Sequence, residues 1–372
     1  MIRIFIIISL FFCLPSCLFT KKIAFKTPNN IRLIEKDFSS LDGWHEDNHR
    51  LALQAFLQSC RKFATLPQNT SLNGQLFNIT PSDFRDVCDI GEVVKNMSEK
   101  QTKNYFENWF KLFLVEDENG KSKGLFTGYY EATLRGSFVK TDKYKYPILS
   151  KPDNFNQFNN LTRKDIENGA LNSKSLQLLF VDDKVDLFFM HIQGSGRVIL
   201  PNGGIVKISY AGKNSHPFTA ISNEMFNRGL ISREEYNSKG VRNWLKNNPD
   251  LADEIMNLNQ SFTFFKINDS EYVIGAQSVP LTDQKSLAVD SEIIPFGSLL
   301  WLETYTKLNK EKQPFNHLMV AQDTGSAIKG TVRGDVFFGA GNEAEEMAFT
   351  MASKGKYYML LPINFVDKIL GR

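Results

Sequence analysis

The chain has 372 residues, 23% of them charged, and a formal net charge of +3 at pH 7. That length suits one large domain or two ordinary ones, and the composition is that of a globular protein with a normal core. So small a charge gives no footing for nucleic-acid binding, and four cysteines and five scattered histidines show no metal-ligand spacing.

The chain opens with Arg3 as a lone basic residue, followed by an apolar run from Ile4 to Leu14. About eleven apolar residues match a signal-peptide core and are too few to span a bilayer. Leu14-Pro15-Ser16-Cys17 resembles a bacterial lipoprotein processing box. Residues 1–17 therefore read as a signal peptide, with lipidation at Cys17 as a membrane anchor. Pro15 is unusual at its position, so a plain cleaved leader remains open. Residues 18–45 are polar and irregular and read as a tether. Cys60 and Cys88 are the cysteines left after export. In an oxidising compartment they are expected to form a disulfide, with two buried thiols as the alternative.

Asp47 to Ala64 has the apolar period of an amphipathic helix, with Leu51, Ala55, Leu57 and Phe63 on one side. Thr80-Pro81 caps a second helix running to Val94, and Glu99 to Phe113 reads as a third. The texture changes near Gly124, where Leu125 to Thr133 is rich in the aromatic and β-branched residues of strands. Further strands are expected at 176–181, 185–193, 197–200 and 205–210, with Pro201-Asn202-Gly203-Gly204 as a hairpin turn. Thr162-Arg163-Lys164-Asp165 is a capping box for a short helix ending near Gly169. Ser232-Arg233-Glu234-Glu235 is another, opening a helix to Asn247 that Pro249 ends. Strands return at 262–267, 271–276, 299–304 and 318–322; a helix over 343–353 and a strand over 357–361 close the chain. This predicts two all-β bodies with helices at the entrance, not an alternating βαβ sheet.

Chemistry concentrates in three aspartates near the C-terminus: Asp290 in Leu287-Ala288-Val289-Asp290, Asp323 in Ala321-Gln322-Asp323-Thr324-Gly325, and Asp335 in Arg333-Gly334-Asp335-Val336. Each ends or follows a short apolar run among glycines, where a carboxylate can do acid–base work without metal or cofactor. Thr127-Gly128-Tyr129-Tyr130 sets hydroxyls and ring faces around a glycine, a surface suited to sugars. Gln193-Gly194-Ser195-Gly196 and Tyr210-Ala211-Gly212-Lys213-Asn214 are polar segments after strand-like runs. The first lacks the lysine of a phosphate loop and the spacing of a nucleophile elbow. Ordinary turn chemistry is the competing reading for all of these strings.

Taken in order, Leu41-Asp42-Gly43-Trp44, Phe126-Thr127-Gly128-Tyr129-Tyr130-Glu131, the Gln193 and Tyr210 segments, Val279-Pro280-Leu281-Thr282 and the three aspartate strings resemble the membrane-bound lytic murein transglycosylase A family. The aspartate strings match that family's C-terminal three-aspartate domain. The resemblance implies a double-psi β-barrel, formed by residues 46–131 and 258–372, with a smaller β-barrel inserted at 132–257 and the substrate groove between them. It implies cleavage of the β-1,4 bond between N-acetylmuramic acid and N-acetylglucosamine in peptidoglycan, with no cofactor. The muramoyl C6 hydroxyl attacks its own C1 and leaves a 1,6-anhydro end.

By the same resemblance Asp323 is the single general acid and base, Asp335 supports or orients it, and Asp290 is a structural neighbour. Thr127, Gly128, Tyr129, Gln193, Gly194, Ser195, Tyr210 and Asn214 are expected in the groove, with Lys329 and Arg333 meeting peptide carboxylates. Peptidoglycan strands are the expected partner of a monomer held on the periplasmic side of the outer membrane. Ser215, Ser326 and Phe349-Thr350 depart from the family's usual small residues, which bears on sugar subsites more than on the reaction.

Overall fold

The computed structural model describes residues 23–27, 31–72, 78–172, 175–308 and 311–372. Cys17 and the leader lie outside the described residues. Strands β1 (Ala24–Lys26) and β2 (Arg32–Lys36) lie within the segment read as a tether. β2 pairs antiparallel with β3 (Phe110–Glu116), placing Leu33 opposite Val115. Trp44 is fully buried, edge-on to Trp301 at 5.0 Å. The apolar residues Leu33 and Trp44, diluted among polar neighbours, are what draw this segment into the core.

Helix α1 (His49–Ala64) is capped by the Asn48 side chain, which accepts from Leu51 N at 2.9 Å. Its buried face carries Ala52, Leu53, Phe56, Leu57, Cys60 and Phe63. A Cys60–Cys88 disulfide joins it to α2 (Arg85–Val94). Helix α3 stops at Trp109 (Glu99–Trp109), short of the Phe113 read from sequence. From Phe110 the backbone is extended, and β3 pairs on both sides, so its apolar run serves a sheet.

The main sheet runs through β14 (Ala352–Pro362), β11 (Leu299–Leu308), β12 (Glu311–Asp323), β10 (Ser286–Ala288), β13 (Arg333–Ala340) and β4 (Gly124–Ser137). Two of its pairings are parallel, β10 with β12 and β13 with β4. Strand β4 then changes partners: 125–131 pairs with β13, and 132–135 pairs with β7 (Ser195–Ile199). The second sheet adds β8 (Ile205–Lys213) and β9 (Thr263–Asn268), so that body continues past residue 257.

The second body is not all β. Lys184–Gln193 is a helix rather than the strand expected at 185–193. Asp183 caps it, accepting from Asp186 N at 2.9 Å, and its buried stretch Leu187–His191 is continuous, which hides the helical period. Ser232 and Glu235 do bond each other's backbone, but the helix starts at Ser238 behind the cap Asn237. Pro249 opens the next helix, Pro249–Met256, as its first residue instead of ending the previous one. Near the C-terminus, 271–276 is not a strand; it holds only the isolated bridge Ile274 to Pro280. The expected helix at 343–353 spans Asn342–Thr350, and a further helix, Ile363–Leu370, follows β14. The architecture is thus a mixed sheet with helices throughout, not helices confined to the N-terminal end.

Candidate active site

Register lines up the chemistry. Ala288 on β10 lies opposite Asp323 on one side and Asp335 on the other, and Asp335 lies opposite Thr127 on β4. Asp323, Ala288, Asp335 and Thr127 thus form one row across four strands on one face. Two strand spacings separate the aspartate backbones by about 10 Å. Period-2 alternation puts Tyr129 and Phe337 on the same face, their rings 5.2 Å apart. Tyr129, Phe337, Ala288 and Leu281 form a small apolar floor under the carboxylates.

Asp323 is half-buried and accepts three hydrogen bonds. The Tyr129 hydroxyl donates to Oδ2 at 2.7 Å, and the N–H groups of Ala276 and Thr324 donate to Oδ1 at 2.9 Å each. Burial raises its pKa and outweighs these donors, which favour the anion. Asp335 Oδ1 accepts the Thr127 hydroxyl at 2.6 Å. Burial raises its pKa too, opposed by the Arg333 charge and Thr127 and helped by the negative charge of Asp323. Arg333 donates to Thr127 Oγ1 at 2.9 Å and to the Leu125 carbonyl at 3.2 Å.

This is a pair of carboxyl groups with unlike partners above an apolar floor, an arrangement for acid–base work on a neutral substrate. Residues 125–266 match the MltA specific insert domain, and residues 285–361 match the 3D domain. A Buchnera aphidicola homolog of membrane-bound lytic murein transglycosylase A is 31% identical over 327 residues, covering 85% of this chain and 84% of the relative. The chain belongs to the membrane-bound lytic murein transglycosylase A family. It is accordingly an enzyme of the lyase class, associated with the cell envelope. The membrane-bound lytic murein transglycosylase of Agrobacterium tumefaciens has the same fold, with a TM-score of 0.78 at 30% identity over 90% of this chain and 98% of that one. Escherichia coli MltA with bound chitohexaose matches with a TM-score of 0.67 at 27% identity, covering 82% and 90%.

Within this transglycosylase fold the other sequence-selected residues fall into different places. Gly128 faces away from the row, and a Cβ there would lie 2.4 Å from the Phe338 ring, so close packing requires glycine at this position. Asn214 is a buried interior side chain. It is 1% exposed, donates to the carbonyls of Leu161 and Gln260 at 2.8 Å each, and accepts from Phe262 N at 2.9 Å. Gln193 accepts from Tyr130 N at 3.0 Å, which places the Gln193–Ser195 junction beside β4. Gly194, at φ +80°, ends the helix Lys184–Gln193 in the left-handed conformation. Ser195 is buried opposite Ser209, and Tyr210 is 52% exposed on β8. Asp290 is buried and accepts Gly330 N at 2.8 Å and Lys329 Nζ at 3.3 Å. Lys329, largely exposed, also meets Glu292 at 3.1 Å, and Arg333 bonds Thr127 beside Asp335.

Two features were not selected from sequence. Glu131 is 2% exposed and paired with Arg197 at 2.6 Å and Lys207 at 3.0 Å. It is the strand-period neighbour of Thr127 and Tyr129, a signal that was present in the sequence. The Ala276 N–H that reaches Asp323 left no signal, since every residue but proline carries one.

Proposed function

We propose that this transglycosylase cleaves the β-1,4 bond between N-acetylmuramic acid and N-acetylglucosamine without water, with Asp323 as its single general acid and base. The observation that carries this is the Asp323 carboxyl itself: burial pushes its pKa up while three donors stand ready for its anion. Protonated, it gives its proton to the glycosidic oxygen as the C1–O bond breaks. As the anion, it takes the proton of the muramoyl C6 hydroxyl while O6 bonds to C1. The 1,6-anhydro product follows, and the donors from Tyr129, Ala276 and Thr324 steady the charge between the two transfers. The intramolecular hydroxyl takes the place of a second carboxylate.

One observation bears on a hydrolytic second reading. Asp335 stands in the same row as Asp323, two strands away, so a second carboxyl is at hand of the kind a hydrolase needs. Mass spectrometry of products from purified sacculi separates the readings. Anhydro ends are expected; reducing muramic ends alone would overturn the lyase mechanism. Asp323→Asn is expected to lower turnover by at least roughly 10²–10⁴-fold while sacculus binding persists.

The two parallel pairings in one sheet support a double-psi barrel, and the partner change of β4 after Glu131 supports an inserted second body. For anchoring, the lipoprotein-like string at Cys17 is the support, and no helix among the described residues is long and apolar enough to cross a membrane. Cys17→Ala should release the protein from membranes in fractionation; retention would end that reading.

A further inference from the structure

The segment 275–278 touches Asp323 through backbone alone. It is a tight turn, closed by Ser278 N to the Gly275 carbonyl at 2.8 Å. Two successive N–H groups leave it towards β12: Ala276 N donates to Asp323 Oδ1 at 2.9 Å, and Gln277 N to the Gln322 carbonyl at 3.1 Å. Only glycine permits this approach at 275, where a Cβ would lie 2.4 Å from the Gln322 oxygen.

The turn has one side chain driven into the protein. Gln277 is 6% exposed, and its Oε1 accepts the Ser59 hydroxyl at 2.7 Å. Its Nε2 is buried with no partner among the described residues, so the Ser59 bond is the hydrogen bond that holds this amide. Ser59 Oγ in turn accepts from Gln322 Nε2 at 2.9 Å, and the same Nε2 donates to the Ala55 carbonyl at 2.8 Å. Gln322 Oε1 accepts from Ser286 Oγ at 2.6 Å. Gln322, Ser59 and Ser286 are fully buried. One hydroxyl on α1 thus fixes both the residue before Asp323 and the turn that donates to it.

We propose that Gln277 is a positioning residue for Asp323, pegged into α1 by Ser59 so that the Ala276 N–H stays on the carboxylate. The proposal rests on the reading of Asp323 as the general acid. Of the side chains around that carboxyl, Tyr129 on β4 donates to it, Asp335 on β13 shares its field, and Arg333 stands beside Asp335; the turn and Thr324 contribute only N–H groups. Withdrawing the Ala276 donor removes a bond to the anion, so the Asp323 pKa must rise.

The test uses the mature protein with Ser59→Ala, Gln277→Met and the hydroxyl-retaining Ser59→Thr. Carboxyl ¹³C NMR titration reads Asp323 directly, assigned by its loss in Asp323→Asn. Both deletions are expected to raise the Asp323 pKa and to move the basic limb of kcat/KM up by the same amount. The loss in kcat should reach up to roughly 10²-fold, the scale of a misplacement of about 1 Å, with KM little changed. Ser59→Thr should titrate as wild type. A folded Ser59→Ala or Gln277→Met protein whose Asp323 titrates as in wild type overturns the proposal. If the pKa moves but the kinetic limb stays, the positioning stands and the assignment of Asp323 as the acid falls.

Discussion

Asp323 meets two opposed demands at one carboxyl group. On the proposed mechanism it must hold a proton at the start and tolerate a charge a moment later. Burial serves the first and the three donors serve the second. Tyr129→Phe keeps the ring on the apolar floor and removes one donor. The expected outcome is a higher Asp323 pKa and a basic limb of the pH–rate profile displaced upward, since activity is lost as pH rises through that pKa. Asn214 makes the contrasting case. Asn214→Ala strips partners from two carbonyls and one N–H in the interior and should cost about 1–3 kcal/mol in urea unfolding, with kcat/KM unchanged. The residues flanking Asp323 and Asp335 marked them in the sequence because glycines and apolar runs bracket a carboxylate at a strand end. Asn214 looked equally eligible there. Its partners Leu161 and Gln260 are remote in the chain, so a buried peg and a groove contact have the same local sequence.

At the scale of elements, the start of α1 is fastened to the sheet by a buried ion cluster. Asp47 meets Lys285 Nζ at 2.6 Å and His317 Nδ1 at 2.7 Å, and accepts Leu318 N at 2.9 Å. Burial alone would raise the Asp47 pKa, but the His317 bond and the Lys285 charge hold it well below the usual carboxylate range. For Lys285 burial prevails and its pKa is lowered, so Asp47, with three donors, is the partner more firmly held as an ion. A depressed carboxyl adds stability above its unfolded pKa of about 4 and loses it as pH falls below that value. Urea midpoints at pH 7 and pH 3 should therefore fall further apart in wild type than in Asp47→Asn. Lys285→Met, which strands the carboxylate, should cost about 3–5 kcal/mol at pH 7. Elements themselves were legible where a cap announced them, as at Thr162, whose hydroxyl and Asp165 bond as the capping box predicts. The run at 185–193 misled because its five consecutive buried residues, Leu187–His191, blur the helical period; the Asp183 cap was the remaining clue.

For the whole molecule, the sequence hides most where distant segments pair. Thr127 and Asp335 stand 208 residues apart in the chain and 2.6 Å apart in space. That parallel contact builds the site, and no local pattern encodes it. The disulfide works in the opposite sense, closing a loop with a sequence separation of 28 residues. By chain entropy, the double variant Cys60→Ser/Cys88→Ser should lose about 3–4 kcal/mol in urea unfolding, with sacculus digestion persisting at room temperature. Strand β4 has the widest reach. Its first half carries Thr127 and Tyr129 in the main sheet, and its second half is the first strand of the other sheet. Gln193 and the Arg197–Glu131–Lys207 cluster brace it at the crossing. The two bodies therefore share a single beam. On that geometry the two bodies are expected to keep one spacing when a glycan binds, a gauge more than a pair of jaws. Spin labels at Phe138 and Leu125, near opposite ends of that beam, should report the same separation with and without a bound oligosaccharide.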